Sequence, residues 1–200
     1  MSLLDTAGIF RFHKEQIKLY GAGTAGALGW EDQQAQEQRF EVLCRIGNLN
    51  HHSVMDIGCG HGDLRGFLSH HFPDARYFGI EQIPELLDIA AAKYAHIPET
   101  LFFQGDFTTA ELPVTDYILV SGTLNYHNTD PLYVPRMIEK LYNNCRIALG
   151  FNLLSYADPA QGLIVSYKPA FIEEYCRQLS SRVVLTNDYR PNDYTLFMYH

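Results

Sequence analysis

The segment "SVMDIGCGHGDL", residues 53–64, decides the fold, because three glycines at alternate positions directly follow a short apolar run. Glycine has no β-carbon, so a loop built from it can turn tightly and lets a ligand approach the backbone closely. In an open parallel sheet, ligands bind in the crevice at the carboxyl ends of the strands, beside the point where the strand order reverses. The segment therefore predicts a strand, a ligand-binding loop at 58–62 and a helix.

The spacing of the glycines restricts the ligand. Loops that hold the pyrophosphate of a dinucleotide have the pattern GxGxxG, whose third glycine would fall at position 63, where this chain has Asp63. A carboxylate at that position would repel a pyrophosphate. The observed pattern is Asp56-x-Gly58-x-Gly60-x-Gly62, and we expect it to bind a ligand that carries a positive centre or an amino-acid ammonium group.

Length and composition restrict the class of protein. With 200 residues, 46% of them hydrophobic and 19% charged, the chain is long enough for one domain with a substantial core. A net charge of -8 with only 15 Lys and Arg argues against an extensive nucleic-acid surface. Since we find neither an apolar run of about 20 residues nor a secretory signal pattern, we expect no membrane association and a cytoplasmic location.

The alternation of apolar runs and amphipathic stretches from residue 53 onward indicates an α/β fold. Strands are predicted at 53–57, 75–80, 100–105, 116–122 and 145–154, and helices at 62–71, 84–95, 131–143 and 169–180. Two further runs flank the turn "YRPN" (189–192) and predict an antiparallel C-terminal hairpin. The sequence thus predicts a mostly parallel sheet wrapped by helices on both faces.

The residues before this core form a predicted helical cap. A helix in "IFRFHKEQIKLYG" (9–21) precedes a flexible connector whose glycines discourage a regular helix, and a second helix lies in "EDQQAQEQRFEVLCRIGNL" (31–49). We interpret the chain as a single domain, with residues 1–49 as a cap or lid and 50–200 as the ligand-binding core. The four cysteines are scattered without a CxxC pair, which predicts free thiols rather than a zinc site or disulfides.

Acidic residues stand at the tips of three successive strands: Asp56, Glu81 and Asp106. Glu81 lies where a carboxylate can take both hydroxyls of a ribose, and Asp106 lies where it could accept a hydrogen bond from an adenine amino group. Each acid taken alone is equally well explained as a strand-end or helix-capping residue. Their succession along the chain favours a nucleoside-binding site.

The stretches "VMDIGCGHGDL", "YFGIEQIPELLDIAAAKY", "LFFQGDF" and "TDYILVSGTLNY" together resemble the class I S-adenosylmethionine-dependent methyltransferases, over roughly residues 50–200. The resemblance implies a Rossmann-like, seven-stranded, mostly parallel sheet with an antiparallel C-terminal strand. It also implies S-adenosylmethionine as the cofactor and S-adenosylhomocysteine as its product.

Carried over by position, the resemblance implies which residues contact each part of the cofactor. The implied contacts are Asp56, Gly58, Cys59 and Gly60 for the methionine part, Glu81 for the ribose, Gln82 and Ile83 for the adenine with Asp106 and Phe107 at its amino edge, and Ser121 and Gly122 near the sulfonium. The position of Cys59 between two glycines also fits a small packing residue, and methyl transfer requires no nucleophilic thiol.

The sequence indicates the residues that would bind the methyl acceptor less clearly than those for the cofactor. His127 is the favoured general base, with Tyr126 and Asp130 as neighbours, although a loop histidine can equally be exposed without a role. The cap could close over the cofactor, with Tyr20 and Trp30 as aromatic walls and Arg39 toward the cofactor carboxylate, or these residues could serve packing alone. The acceptor pocket must then be built by the cap and loops 123–131 and 155–168, which favours a small-molecule acceptor.

Two other functions are compatible with parts of the sequence. A protein that binds the cofactor without transferring a methyl group, as a partner or regulator of another enzyme, is left open by the absence of an unmistakable base. An NAD(P)-dependent oxidoreductase is disfavoured by Asp63 and by the lack of an obvious Tyr-x-x-x-Lys pair.

A metal site at His51–His52 or His70–His71 is disfavoured because adjacent residues rarely ligate one ion. The oligomeric state is not determined by the sequence.

Overall fold

The structure, a computed structural model, describes residues 2–158 and 162–200. This part of the chain contains the seven strands and six helices that follow. The strands are β1 (Ser53–Ile57), β2 (Arg76–Glu81), β3 (Thr100–Gln104), β4 (Thr115–Val120), β5 (Cys145–Leu154), β6 (Arg182–Thr186) and β7 (Asp193–Tyr199). The helices are α1 (Leu3–Tyr20), α2 (Gln33–Leu43), α3 (Asp63–His71), α4 (Pro84–Tyr94), α5 (Tyr133–Asn143) and α6 (Pro169–Leu179).

The strands form one sheet in the order β3-β2-β1-β4-β5-β7-β6. Neighbouring strands from β3 across to β5 pair in parallel, whereas β7 pairs antiparallel with both β5 and β6. The strand order reverses between β1 and β4, so the loops after these two strands meet at one edge of the sheet. The predicted fold class is confirmed, including the antiparallel strand in the C-terminal hairpin.

Each face of the sheet carries its own apolar core. Side chains alternate between the two faces along a strand, so Met55 and Ile118 pack in one core while their neighbours Val54 and Tyr117 pack in the other. Helices α5 and α6 cover the first face, and α2 and α3 cover the second. The strands β1, β4 and β5 are therefore mostly buried between helices on both sides, whereas the edge strand β3 leaves Leu101 and Phe103 exposed.

The cap differs from the sequence prediction at two points. Helix α1 begins at Leu3 rather than near residue 9, because Ser2 and Asp5 form a capping box that satisfies the first free N–H groups. The connector is not wholly irregular: residues Ala25–Leu28 form a short 3-10 helix, capped by the Thr24 hydroxyl, which accepts from the Ala27 N–H at 3.3 Å. The glycines around it end regular structure, but they do not prevent one helical turn.

Within the described residues, no helix combines the length and the apolar character that crossing a membrane requires. The four cysteines are free thiols, and Cys59, Cys145 and Cys176 are buried.

Candidate functional site

The glycine loop adopts the backbone that its sequence predicted. Gly58, Gly60 and Gly62 all have positive φ, at 67°, 53° and 72°, a region that residues with a β-carbon rarely occupy. The N–H groups of Gly58 and Cys59 both donate to the Ile80 carbonyl, at 2.9 and 3.1 Å. These bonds tie the loop after β1 to the end of β2 and bring the tips of the two strands together.

The loop after β4 packs directly against the glycine loop. A β-carbon on Gly58 would lie 2.3 Å from the Thr123 hydroxyl oxygen. That hydroxyl donates to the Ile57 carbonyl at 2.9 Å. Gly122, also at positive φ, lies under Trp30, since a β-carbon there would approach the indole ring to 2.7 Å. The absence of side chains at both glycines allows this close packing.

Glu81 is held at the tip of β2 by backbone donors. Its Oε2 accepts the Gly60 N–H at 3.0 Å, and its Oε1 accepts the N–H groups of Gln82 and Ile83 at 2.8 and 2.9 Å. Burial raises the pKa of Glu81, and these three N–H groups act in the opposite direction. A carboxylate has about four acceptor positions, so one remains for a further hydroxyl.

Asp56 lies at the end of β1, under the glycine loop. The carboxylate is 3% exposed and accepts the Tyr77 hydroxyl at 2.6 Å. Burial raises the pKa of Asp56 to about 7, and the negative charges of Glu81 and Asp63 add to this effect. A cationic group that enters the site would therefore favour the ionised form of Asp56.

Most of the predicted site residues line one cavity of about 770 Å³, a size typical of small-molecule sites. The predicted residues on its wall are Asp56, Gly58, Cys59, Gly60, Glu81, Gln82, Ile83, Phe107, Ser121, Gly122 and Tyr126. Asp106 and His127 are not among the described wall residues. The Asp106 carboxylate accepts the Thr108 N–H at 2.8 Å, and His127 is exposed.

The cap contributes to the same wall, including all three predicted cap residues: Tyr20, Trp30 and Arg39. His13 of α1 lies on the wall as well and is 5% exposed. Its Nε2 is 2.7 Å from the Tyr126 hydroxyl. The cap and the loop after β4 are thus joined by a hydrogen bond between residues 113 positions apart.

Arg39 is paired with an acid of the core. Its Nη2 lies 2.8 and 2.7 Å from the two carboxylate oxygens of Asp193, and its guanidinium carbon lies 4.5 Å from the centre of the Trp30 ring. Arg190 also contacts Asp193, at 3.4 Å, and forms an ion pair with Glu31. In this structure Arg39 therefore already has a carboxylate partner within the chain.

The sequence interpretation missed three residues of the site. Asn152 of β5 accepts the Gly122 N–H at 3.0 Å and so positions the loop after β4. Asn152 is the one polar residue in the apolar run "IALGFNLL" (147–154), and this is a signal that could have found it. Asp193, an acidic residue at the first position of a mostly apolar strand, was a similar signal. His13 offered none, because it lies on the apolar face of a predicted helix.

Part of the predicted acceptor region lies outside the described residues, namely 159–161 of loop 155–168. Leu163 and Ile164 of that loop do line the cavity, and Ile164 pairs with Tyr126 in an isolated antiparallel bridge. Across residues 2–158 and 162–200, no group of three or more His, Cys, Asp or Glu could hold a metal ion.

The sequence matches a known family over its central part. The family model described as "Methyltransferase domain" matches residues 54–146, which include β1 except Ser53, the whole glycine loop and β2 to β4. Trans-aconitate 2-methyltransferase of Mycobacterium sp. (strain KMS) is 32% identical over 98 residues, which cover 48% of this chain and 37% of the relative. The corresponding protein of Escherichia coli O1:K1 / APEC is 36% identical over 66 residues, 33% of this chain and 25% of the relative. The match thus spans well under half the length of these relatives.

Solved structures match along nearly the whole chain. Magnesium protoporphyrin IX methyltransferase from Synechocystis PCC 6803, with bound SAH, aligns with a TM-score of 0.74 and 17% identity over 98% of this chain and 99% of that chain. The N-methyltransferase NodS from Bradyrhizobium japonicum WM9, in complex with S-adenosyl-l-homocysteine, aligns with a TM-score of 0.72 and 14% identity over 96% and 97%. At these identities the likeness concerns the fold.

Proposed function

We propose that this chain, a member of the class I S-adenosylmethionine-dependent methyltransferases, transfers a methyl group from S-adenosylmethionine to a small-molecule acceptor. The observation that carries the proposal is the position of Glu81. Its carboxylate stands at the tip of β2, accepts the Gly60 N–H of the glycine loop and faces the cavity. Glu81 and the glycine loop therefore form one preorganised binding surface for a nucleoside with an amino-acid tail.

The residues present fit the cofactor. The Oε1 atom of Gln82 is buried at the cavity wall and has no hydrogen-bond partner among the described residues, so it can accept from the adenine amino group. Glu81 has one acceptor position left for one ribose hydroxyl, and Asp56 would face the cationic methionine end. Asp106 is not among the described wall residues. Its carboxylate would act by accepting the Thr108 N–H, a bond that holds the turn in which Phe107 lines the cavity.

When it is bound, S-adenosylmethionine supplies a methyl group whose bond to sulfur breaks as the acceptor forms its own bond, with the electron pair remaining on sulfur. The chain has to orient the reactants, which contributes roughly 7–11 kcal/mol in favourable cases. The Asn152 amide and the Thr123 hydroxyl hold the loop that carries Ser121 and Gly122. The cap supplies the opposite wall and excludes water.

The small-molecule character of the acceptor is supported by the site itself. The cavity is lined by residues of the cap and of the loops at the ends of the strands, and Trp30 packs on Gly122 in its wall. Among the proteins named above, the curated relatives are methyltransferases of trans-aconitate and one solved structure is a methyltransferase of magnesium protoporphyrin IX, both small molecules. We further propose that residues 1–49 act as the lid of a single domain and that the protein is cytoplasmic, which agrees with its four free thiols.

The first experiment is calorimetric titration of the wild type and of Glu81→Ala with S-adenosylmethionine, S-adenosylhomocysteine and NADH. Glu85→Ala, an exposed carboxylate in the first turn of α4, is the matched control. We expect both sulfur compounds to bind the wild type and the control, and the affinity to fall by about tenfold or more in Glu81→Ala, since a hydrogen bond to a charged group contributes roughly 1.5–3 kcal/mol.

Binding of NADH with no binding of either sulfur compound would refute the proposal in favour of an oxidoreductase. Binding of S-adenosylmethionine with unchanged affinity in Glu81→Ala would refute the assigned site. Binding without methyl transfer to any acceptor would favour the alternative of a silent cofactor-binding protein.

A further inference from the structure

The hydrogen bond between His13 and Tyr126 has a defined direction, because the other ring nitrogen of His13 contacts a carbonyl oxygen. The second ring nitrogen of His13, Nδ1, lies 3.2 Å from the Ala27 carbonyl oxygen. A carbonyl oxygen only accepts, so Nδ1 carries the proton, and Nε2 of the neutral ring is an acceptor. The Tyr126 hydroxyl, 2.7 Å away, therefore donates to Nε2.

This arrangement keeps a base buried at the cavity. Burial lowers the pKa of His13, and the bond to Ala27 only partly offsets that effect, so the ring is neutral at neutral pH. The Tyr126 oxygen retains its lone pairs for a group that enters the cavity, since both side chains line the wall. The 3-10 turn that carries Ala27 belongs to the cap, so the cap assembles this arrangement.

The charges of the cavity restrict the acceptor further. The only cationic side chains among its described wall residues are those of Arg39 and Arg190. Both pair with Asp193, and Arg190 also pairs with Glu31. A polycarboxylate acceptor would therefore find no unpaired cation among the described wall residues, and burying an unpaired carboxylate is costly.

The wall near the His13–Tyr126 pair is apolar and aromatic instead. Ile9 and Phe12 of α1 and Leu163 line the cavity, and Ile9, Tyr126 and Leu163 belong to one apolar cluster. The Phe12 ring stands edge-on to Tyr126, with the ring centres 6.4 Å apart. Such walls favour an uncharged, flat or apolar molecule.

Resting on the proposed function, we infer that the methyl acceptor is an uncharged molecule with a hydroxyl group, and that Tyr126 and His13 relay the proton of that hydroxyl. The hydroxyl proton passes to the Tyr126 oxygen as the acceptor oxygen bonds to the methyl carbon, whose bond to sulfur breaks with its electron pair remaining on sulfur, and the Tyr126 proton passes to Nε2 of His13. His13 then carries both ring protons, with Nδ1 still bonded to Ala27. Tyr126 touches the substrate, and His13 acts through it.

The first test is nitrogen NMR of the protein with ¹⁵N-labelled histidine, loaded with S-adenosylhomocysteine. We expect His13 to be neutral with its proton on Nδ1, and we expect the Nε2 resonance to shift in Tyr126→Phe, where the donor is lost. A proton on Nε2, a doubly protonated ring or an unchanged Nε2 resonance in Tyr126→Phe would overturn the relay.

The second test compares three probes by calorimetry on the same loaded protein: 2-naphthol, naphthalene without the hydroxyl, and trans-aconitate. We expect 2-naphthol to bind most tightly, with its affinity about 2- to 10-fold lower in Tyr126→Phe, the range for one neutral hydrogen bond. An unchanged dissociation constant for S-adenosylhomocysteine in Tyr126→Phe and His13→Gln shows that both variants are folded.

Tighter binding of trans-aconitate, or no binding of 2-naphthol to the loaded protein, would overturn the inferred acceptor class while leaving the proposed function intact. Absence of S-adenosylhomocysteine binding itself would overturn the proposed function first. The two failures are therefore distinguishable.

Discussion

Gly58 and Thr123 lie so close together that a β-carbon on the glycine would be 2.3 Å from the Thr123 hydroxyl oxygen. That hydroxyl is engaged with the Ile57 carbonyl and cannot move aside without breaking its hydrogen bond. The contact joins the loops after β1 and β4, the two strands between which the strand order reverses. Packing of the two loops against each other thus depends on a glycine at position 58.

Gly58→Ala should destabilise the protein and abolish S-adenosylmethionine binding. The substitution combines a left-handed backbone, which costs roughly 1–2 kcal/mol for a residue with a β-carbon, with the clash against Thr123. Gly23→Ala is the matched control, because Gly23 has φ +82° and a β-carbon there meets nothing within 4 Å. Urea unfolding should show a clearly larger loss for Gly58→Ala, and equal losses would show that the clash is relieved.

Asp56→Asn should remove a pH-dependent destabilisation. Burial raises the pKa of Asp56 from 3.8 to about 7, so the folded state binds more protons than the unfolded state between these values. This contribution makes the free energy of unfolding fall as pH rises from about 4 to 7, by up to about 1.4 kcal/mol per pH unit. Urea titrations across this range should give a wild-type curve that declines relative to Asp56→Asn, whereas parallel curves would contradict the assignment.

Tyr77→Phe provides a check on the same group. The Tyr77 hydroxyl donates to Asp56 and lowers its pKa in the folded state, so its removal should extend the decline to higher pH, while the low-pH end, set by the unfolded state, stays in place. A decline with an unchanged upper end would show that another group titrates.

Arg39→Met should be strongly destabilising, because it leaves the Asp193 carboxylate, whose side chain is 1% exposed, with Arg190 as its remaining cation. Breaking a buried ion pair costs about 3–5 kcal/mol, and Arg190 reduces this figure. The double variant Arg39→Met/Asp193→Asn should recover part of the loss. Asp130→Asn, which breaks the exposed pair with Arg136, is the control and should cost under about 1 kcal/mol. Additive losses in the Arg39–Asp193 cycle would contradict the coupling.

Asp5→Asn should loosen the cap. The Asp5 carboxylate accepts from Ser2 in the capping box and from the Thr129 N–H and hydroxyl at 3.3 and 3.0 Å. Loss of the box should cost about 1 kcal/mol and speed hydrogen exchange in the first turns of α1. Glu15→Gln, an exposed change on the same helix, should leave the exchange unchanged.

The Asp5 carboxylate should also make the stability of the cap depend on pH in the acid range. Burial raises the pKa of Asp5, but the hydrogen bonds from Ser2 and Thr129 together lower it by more, so the pKa lies below its ordinary value. Its contribution is therefore present above pH 3.8 and lost as pH falls through the lowered value. Exchange in α1 that does not depend on Asp5 at neutral pH would show that other contacts hold the cap.

The sheet and the glycine loop were predictable from the sequence, because both depend on local patterns. The signals for these elements each extend over only a few residues, as in the apolar runs of β1, β4 and β5 and the turn residues before β7. The positive φ at Gly58, Gly60 and Gly62 follows from the same kind of local signal. The bounds of α1 were less well predicted, because the apolar pattern does not show the capping box at Ser2 and Asp5.

The roles of His127 and Asp106 show the limit of such patterns. The sequence places His127 near the acceptor and Asp106 at a strand tip, but the orientation of a loop side chain depends on what packs around it. In the structure Tyr126 and Phe107, which the sequence also predicted, line the cavity, and His127 and Asp106 are not among its described wall residues. A shift of one residue reverses which side chain faces the ligand, and only the tertiary structure decides it.

The sequence by itself determined the α/β fold, the loop at Gly58–Gly62 and the position of Glu81 at the end of β2, since each is encoded within a short segment of chain. Only the tertiary structure decided that His13 of the cap bonds to Tyr126 and that Arg39 pairs with Asp193. These partners are 113 and 154 positions apart. Their contact depends on how the cap packs onto the sheet edge, a sum of many weak contacts that no local pattern records.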